Sequence, residues 1–423
     1  MSTALLTDRY ELTMVQAALN SGQAHKPCVF EAFARSLPAG RRFGVVAGTA
    51  RVLEAIESFR FESAELDFLA SNNVVNSQTL DYLANFRFEG NVSGYQEGEL
   101  YFANSPVLQV EASFAQGVLI ETVLLSILNY DSAVASAASR MRFAAGDRYL
   151  AEMGARRANE WAAVYAARAA YIAGFDATSN LEAHRSFGVP SMGTSAHSFT
   201  LLYNSETEAF EAQLASMGNQ TTLLVDTFDI DSAVRQAVSL SDGKIAAVRL
   251  DSGDLGSTAV RVRKLLDDLG AKDTKIVVTS DLDEYTIAAL QSAPVDRYGV
   301  GTSLVTGSGF PAAGFVYKLV SHQSEAGWVD VGKKSEGKGS LGGKKVAGRI
   351  FVDGVAAEEV IGAYQEGREL IQPLMIAGNK LSQASNVELV TIAREHHKRS
   401  ISELPEVGMR LSKGEPAIPT RFN

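Results

Sequence analysis

The distribution of apolar and polar positions changes character twice along the chain. In the first third, Thr7 is placed to cap a helix from about Asp8 to Asn20, with Glu11 near the capping-box position. The apolar runs Val29–Phe33 and Phe43–Ala47 predict short strands around a Pro38–Gly40 turn. Helical patterns follow at Ala50–Ser58 and Ser63–Ser71, then a β-rich stretch from Phe88 through Tyr101 to Val110. From about Val118 the texture becomes alanine-rich. Ile120–Ala144 and Arg156–Ala173 predict closely packed helices.

Beyond them, strands predicted at Leu223–Val225, Ile245–Leu250, Lys275–Thr279 and Arg297–Val300 alternate with helices near Ile230–Leu240, Leu255–Leu269 and Asp283–Ala293. Short buried strands alternating with helices indicate an α/β fold with a parallel sheet, open or closed into a barrel. After Val320 the pattern turns irregular, and the tail from Ile371 to Asn423 reads as helical and then proline-containing. No repeat of solenoid period is present.

Composition narrows the function classes. A chain of 423 residues, 46% hydrophobic and 21% charged, fits an ordinary globular protein of roughly two or three domains. The net charge of −10 (39 basic against 49 acidic residues) argues against nucleic acid or an anionic membrane as the main partner, because both require a basic surface. A small anionic substrate needs only a local basic pocket. Cys28 is the single cysteine, so no intrachain disulfide and no thiolate metal cluster can form. Met1 to Asp8 lacks the layout of a signal peptide, and no apolar run approaches the ~20 residues that span a bilayer. The expected compartment is therefore the cytoplasm.

The predicted strands share a property: each ends in chemically useful polar residues. These are Asp226-Thr-Phe-Asp229, Arg249-Leu-Asp251-Ser-Gly-Asp254, Thr279-Ser-Asp281 and Gly299-Val-Gly301-Thr302. In parallel α/β folds the site lies at the carboxyl ends of the strands, so four such ends are expected to converge on one pocket. Gly299 and Gly301 would let backbone N–H groups approach a phosphate, with Thr302 and Ser303 adding donors, although the same residues also suit a tight turn without a ligand. Asp251 and Asp254 suit ribose hydroxyls or Mg2+. Arg249 shares the side of Asp251 by the period-2 rule and could meet an anionic ring substituent. An internal Arg–Asp ion pair is the alternative.

Of six histidines, only His197 lies in a Gly/Thr/Ser-rich context, Gly193-Thr194-Ser195-Ala196-His197-Ser198. No second His or Cys lies near it for a zinc site. As a proton carrier or nucleophile it would need a partner on its other ring nitrogen, for which Asp226 and Asp229 are candidates; a purely structural histidine fits the same context. Glu152-Met-Gly154-Ala-Arg156-Arg157 places two cations after a glycine, able to receive phosphate or carboxylate, or to form a solvated helix face.

Together and in this order, these clusters resemble the nicotinate phosphoribosyltransferase family. The resemblance runs through Thr7–Met14, Gly174-Phe-Asp-Ala-Thr-Ser-Asn180, Gly193–Phe199, Arg249–Leu255, Gly299–Gly307 and the basic loop Lys333–Arg349. It implies a type II phosphoribosyltransferase: an irregular β/α barrel (expected at 118–310) with an α/β sandwich domain from the N-terminal (1–117) and C-terminal (311–423) segments. It further implies a cytoplasmic homodimer that joins nicotinate to phosphoribosyl pyrophosphate, coupled to ATP hydrolysis with Mg2+, in NAD salvage. Carried over by position, Tyr10 would stack on the nicotinate ring from the other subunit. Thr194 and Arg249 would contact nicotinate, and Arg156 would contact substrate. Gly301 and Thr302 would hold the ribose-linked phosphate, and Asp251 and Asp254 would bind ribose and help seat Mg2+-pyrophosphate. His197 would be the phosphohistidine and Asp226 its orienting acid.

Met153 stands where the family pattern has Phe, which puts a thioether in place of an aromatic ring. The basic loop reads as a lid over polyphosphate or as a hairpin tip. Two rivals remain: a nicotinamide phosphoribosyltransferase, and a non-catalytic nucleotide-binding protein.

Overall fold

In the computed structural model, residues 2–333 and 341–423 are described. The expectation for the loop Lys333–Arg349 therefore lies partly outside the described residues. Within its described part, Lys344 pairs with Glu111 and Lys345 with Glu31, both at 2.6 Å. The chain divides into two compact units, 1–136 with 310–423, and 137–309. Among the described residues no helix is long and apolar enough to cross a membrane.

The 137–309 unit is built on six parallel strands: β1 (Tyr149–Glu152), β2 (Ala177–Thr178), β3 (Thr222–Leu224), β4 (Ala247–Leu250), β5 (Lys275–Val278) and β6 (Arg297–Val300). Their order in the sheet is β2-β1-β6-β5-β4-β3, and the ladder is not closed between the first and last. This is the irregular β/α barrel that the resemblance implied. β1 and β2 were not foreseen. Tyr149–Glu152 sits between two alanine-rich helices and Ala177–Thr178 is only two residues long, so neither carries a period of its own.

Each helix that follows β3, β4 and β5 begins on an aspartate. Asp229 accepts from Ser232 N–H at 2.8 Å, Asp254 from Ser257 N–H at 3.2 Å, and Asp283 from Tyr285 and Thr286 N–H at 3.0 and 2.8 Å. These bonds satisfy orphan amides of the first turn. The helix expected from Arg156 instead spans Glu160–Ile172, because Asn159 caps it by accepting from Trp161 and Ala162 N–H. Arg156 and Arg157 are thereby left in a loop.

The other unit combines both ends of the chain in one seven-stranded antiparallel sheet. Pro27–Ala34 lies between Phe315–Ser324 and Leu108–Ser113. The first helix starts at Arg9 with Asp8 as its cap residue; the Thr7 hydroxyl bonds the Glu11 carboxylate instead. The region after Val320 is more regular than its pattern suggested, with strands at Val346–Val352, Val355–Gly362 and Gln372–Ile376, and the helix of the tail confined to Asn386–Ser402. Val346–Val352 and Val355–Gly362 form a hairpin across Asp353-Gly354, whereas Gln372–Ile376 pairs with the remote segment Asn91–Gly94, where tertiary pairing overrides a weak local signal.

A buried ion network holds this sheet region. Arg349, 1% exposed, reaches Glu99 at 2.5 Å and Glu359 at 2.8 Å. Tyr95 Oη donates to Glu359 at 2.9 Å, and His396 Nε2 lies 2.9 Å from Glu99. Burial alone would raise the Glu99 carboxyl, but the His396 bond and the Arg349 charge hold it well below the usual carboxylate range. Arg349→Met would take the cation from the buried Glu359 and leave Glu99 with His396 and Arg368, and we expect urea unfolding to show a loss of about 3–5 kcal/mol. A change within error would mean that the pair contributes nothing net.

Candidate active site

A cavity of about 260 Å3 opens at the carboxyl ends of the barrel strands. It is lined by Met153, Arg156 and Arg157 after β1, Arg249 and Asp251 at β4, Thr279, Ser280 and Asp281 after β5, and Gly299, Gly301 and Thr302 at β6. Parallel pairing produces this convergence. Val277 is level with both Arg249 and Arg297, and Val300 is level with Glu152, so consecutive strands end side by side. Three of the four expected strand ends meet here, and the fourth contributor is the loop after β1.

Asp251 is the centre of a contact chain. Its Oδ1 accepts from the Thr279 hydroxyl and lies 4.0 Å from Arg249 Nη2, while Oδ2 lies 3.9 Å from His197 Nε2. Arg249 Nη1 donates to Thr194 Oγ1 at 2.9 Å and to the Ser195 carbonyl at 3.3 Å, and its Nε is buried without a hydrogen-bond partner. The ion-pair reading of Arg249 and Asp251 thus holds as geometry. It also leaves the guanidinium on the cavity wall.

Asp226 is behind this pair, with its side chain 1% exposed. Its Oδ2 accepts from Asp251 N–H at 2.9 Å and Ser252 Oγ at 2.6 Å, and its Oδ1, 4.0 Å from His197 Nε2, has no hydrogen-bond partner. His197 opens the short helix His197–Thr200, and its Nδ1 lies 3.1 Å from Thr227 Oγ1. The two carboxylates therefore face one ring nitrogen, and a threonine that was not foreseen occupies the other. Asp229 is occupied as a helix cap.

The remaining candidates fall elsewhere. Asp254 is an exposed cap, held below its ordinary range by the backbone and hydroxyl hydrogen bonds of Ser257. Tyr10 belongs to the other unit, on the first helix, with 47% exposure.

Of the cavity residues, Thr279, Ser280 and Asp281 were expected only as part of a converging strand end, without an assigned role, and Arg157 and Gly299 only as candidate anion contacts. Thr279-Ser-Asp281 ends a strand in the same set as Asp251, and that signal was sufficient to name Asp281. Ser280 has φ 119°, an uncommon conformation for a side-chain-bearing residue, which only the structure exposes. Gly299 is needed because a Cβ there would lie 2.6 Å from both Met153 Sδ and Thr279 Cγ2. The thioether thus forms part of the cavity floor.

The arrangement can bind anions and steady a developing cation. Three guanidinium groups line a cavity of a chain that is acidic overall, and Asp251 and Asp281 line the same cavity. Among the described residues no group of three His, Cys, Asp or Glu side chains forms a metal cage. Asp251 and Asp281 remain suitable oxygen donors for Mg2+, an ion that keeps waters and shares phosphate oxygens with its ligand.

Known proteins resemble the chain along most of its length. Residues 5–129 match the model of the nicotinate phosphoribosyltransferase N-terminal domain, and residues 149–357 match that of the nicotinate phosphoribosyltransferase family. The chain is 51% identical to nicotinate phosphoribosyltransferase pncB1 of Mycobacterium tuberculosis, over 99% of this chain and 94% of the relative. It is 39% identical to the nicotinate phosphoribosyltransferase of Bacillus subtilis, over 83% of this chain and 74% of that protein. The crystal structure of human nicotinic acid phosphoribosyltransferase superimposes with a TM-score of 0.84 at 25% identity, covering 99% of this chain and 97% of that one.

Glu206, 8% exposed, has a carboxyl pushed up to about 7 by burial and by Asp229 and Asp226. The folded state therefore keeps this proton through a pH range in which the unfolded chain has released it. Stability should fall as pH rises from about 4.5 to about 7. Glu206→Gln should match the wild type in melting temperature at pH 4.5 and exceed it at pH 8. Equal melting temperatures at both pH values would refute the raised carboxyl.

Proposed function

The chain belongs to the nicotinate phosphoribosyltransferase family, and on that premise we propose that it transfers phosphoribosyl from phosphoribosyl pyrophosphate to nicotinate, as a step of NAD salvage. The single observation that carries this reading is the meeting of Arg156, Arg157 and Arg249 with Asp251 and Asp281 in one cavity. Arg249 faces the nicotinate carboxylate, assisted by Thr194, which it already binds. Gly301 and Thr302 receive the ribose-linked phosphate, and the paired arginines receive pyrophosphate. Asp251 and Asp281 accept from the ribose hydroxyls.

The pyridine nitrogen attacks the anomeric carbon. A C–N bond forms as the C–O bond to pyrophosphate breaks, and the electron pair leaves on the pyrophosphate oxygen. No base is required, because the pyridine lone pair is free. Asp251 and Asp281 lie where positive charge develops on the sugar, and the rest is positioning. Mg2+ held by these carboxylates and the substrate would neutralise charge on the leaving group. A guanidinium aimed at the ring substituent favours nicotinate over nicotinamide. Purified protein incubated with phosphoribosyl pyrophosphate and Mg2+ should convert nicotinate, and not nicotinamide, to its mononucleotide with release of pyrophosphate. Equal turnover of the amide would overturn the assignment to the acid, and no turnover of either would overturn the transfer.

ATP coupling through His197 is the second part of the proposal. Asp226 and Asp251 face Nε2, and an imidazole protonated there would carry its lone pair on Nδ1, beside Thr227 Oγ1. Transfer of the γ-phosphoryl group would form an N–P bond at Nδ1 and release ADP. The added charge acts on substrate binding and leaves the transfer chemistry to the barrel rim. The active species is taken as a cytoplasmic homodimer in which Tyr10 serves the other subunit's site. His197→Asn should abolish ADP release that depends on nicotinate while slow ATP-independent mononucleotide formation persists. Loss of that residual reaction would refute the division of labour.

A further inference from the structure

The segment Gly174–Asn180 has no place in the transfer described above, and none of its residues lines the cavity. Its side chains are nevertheless engaged with β1. Asp176 accepts from Leu150 N–H at 2.8 Å and pairs with Arg142 at 3.1 Å. Thr178, on β2, is level with Glu152 at the end of β1.

Glu152 is 0% exposed, an unusual position for a carboxyl group. One oxygen accepts from Gly154 N–H and the other from the Thr178 hydroxyl at 2.5 Å, and the Thr178 oxygen accepts in turn from Asn180 N–H at 3.0 Å. A stability role alone would be met as well by an apolar side chain of similar length packed at the strand end. What the carboxyl provides is a fixed acceptor for the Gly154 amide.

That amide lies at the root of the loop that carries Met153, Arg156 and Arg157 to the cavity. Met153 N–H donates to the Val300 carbonyl at 2.7 Å, and Arg157 N–H donates to the Gly154 carbonyl at 2.8 Å. Gly154 is pressed against the glycine loop: a Cβ there would collide with Val305 Cγ1 and lie 3.1 Å from the Gly301 carbonyl. Glu152, Gly154 and Gly301 thus fix the spacing between the arginine loop and the phosphate loop.

We propose that Glu152, braced by Thr178, is a positioning residue that sets Arg156 and Arg157 for polyphosphate by holding the Gly154 amide, without touching substrate. This rests on the transferase reading above. It assigns Gly174–Asn180 the part of a brace for the arginine loop. Burial pushes the Glu152 carboxyl up, and a carboxyl keeps an acceptor oxygen for the Gly154 amide whether ionised or protonated.

The test compares Glu152→Gln, Glu152→Met and Thr178→Val by thermal melting, by calorimetric binding of phosphoribosyl pyrophosphate, and by kcat and KM for mononucleotide formation. Glu152→Gln keeps an acceptor for Gly154 and a polar partner for Thr178, and should retain most of the wild-type kcat/KM. Glu152→Met removes the acceptor, and kcat/KM should fall by about a hundredfold, with KM for phosphoribosyl pyrophosphate rising and binding weakening to match. Thr178→Val should fall between them, and it keeps the test decisive if the Met variant fails to fold. Wild-type affinity in folded Glu152→Met and Thr178→Val would overturn the proposal, as would Glu152→Gln failing as badly as Glu152→Met. A wild-type protein that does not bind phosphoribosyl pyrophosphate overturns the transferase reading instead.

Discussion

Six parallel strands sharing one hydrogen-bonded ladder impose the constraint on which the cavity depends. Parallel pairing brings Leu250 level with Val278 and Val300 level with Glu152, so the residues that follow each strand emerge together on one side. Within β4 the two-residue period sends Leu250 into the core and keeps Arg249 and Asp251 on the opposite side. Slippage of one residue would exchange these groups and bury a guanidinium. The same register leaves Asp226, one strand further on, able to support the Asp251 amide.

Acidic residues at the strand ends divide between two tasks. Asp229, Asp254 and Asp283 cap the helices that begin there, whereas Asp226, Asp251 and Asp281 remain with the site. The division follows from distance along the chain. An aspartate immediately before a helix finds orphan amides within reach, and one that directly follows a strand stays among side chains of neighbouring strands. A chain carrying a net charge of −10 can still present cations to an anionic substrate, because local fields are set by the groups lining a pocket and screened from the rest. Close packing completes the site, through the glycines that admit Met153 against Gly299 and bring Gly154 beside Gly301.

By itself the sequence determined the alternation of strands and helices from Thr222 to Val300, the parallel α/β class, and the acidic and glycine-bearing strand ends. These are legible because they rest on local periodicity and on residue types with few conformational roles. The sequence also supplied His197, Arg249, Asp251 and Thr302 as chemistry, although it could not separate site acids from caps such as Asp254. β1, β2 and Gln372–Ile376 were hidden, since they are short and pair with segments elsewhere in the chain, whereas the hairpin over 346–362 carried a local Asp353-Gly354 turn signal that went unread. Only tertiary structure decided that Asn159 starts the helix and leaves Arg156 and Arg157 in a loop, that Thr227 rather than Asp229 meets His197, and that Asp281 rather than Asp254 lines the cavity with Asp251. Hydrogen-bond competition and register settle those points, and both are properties of residues brought together in space.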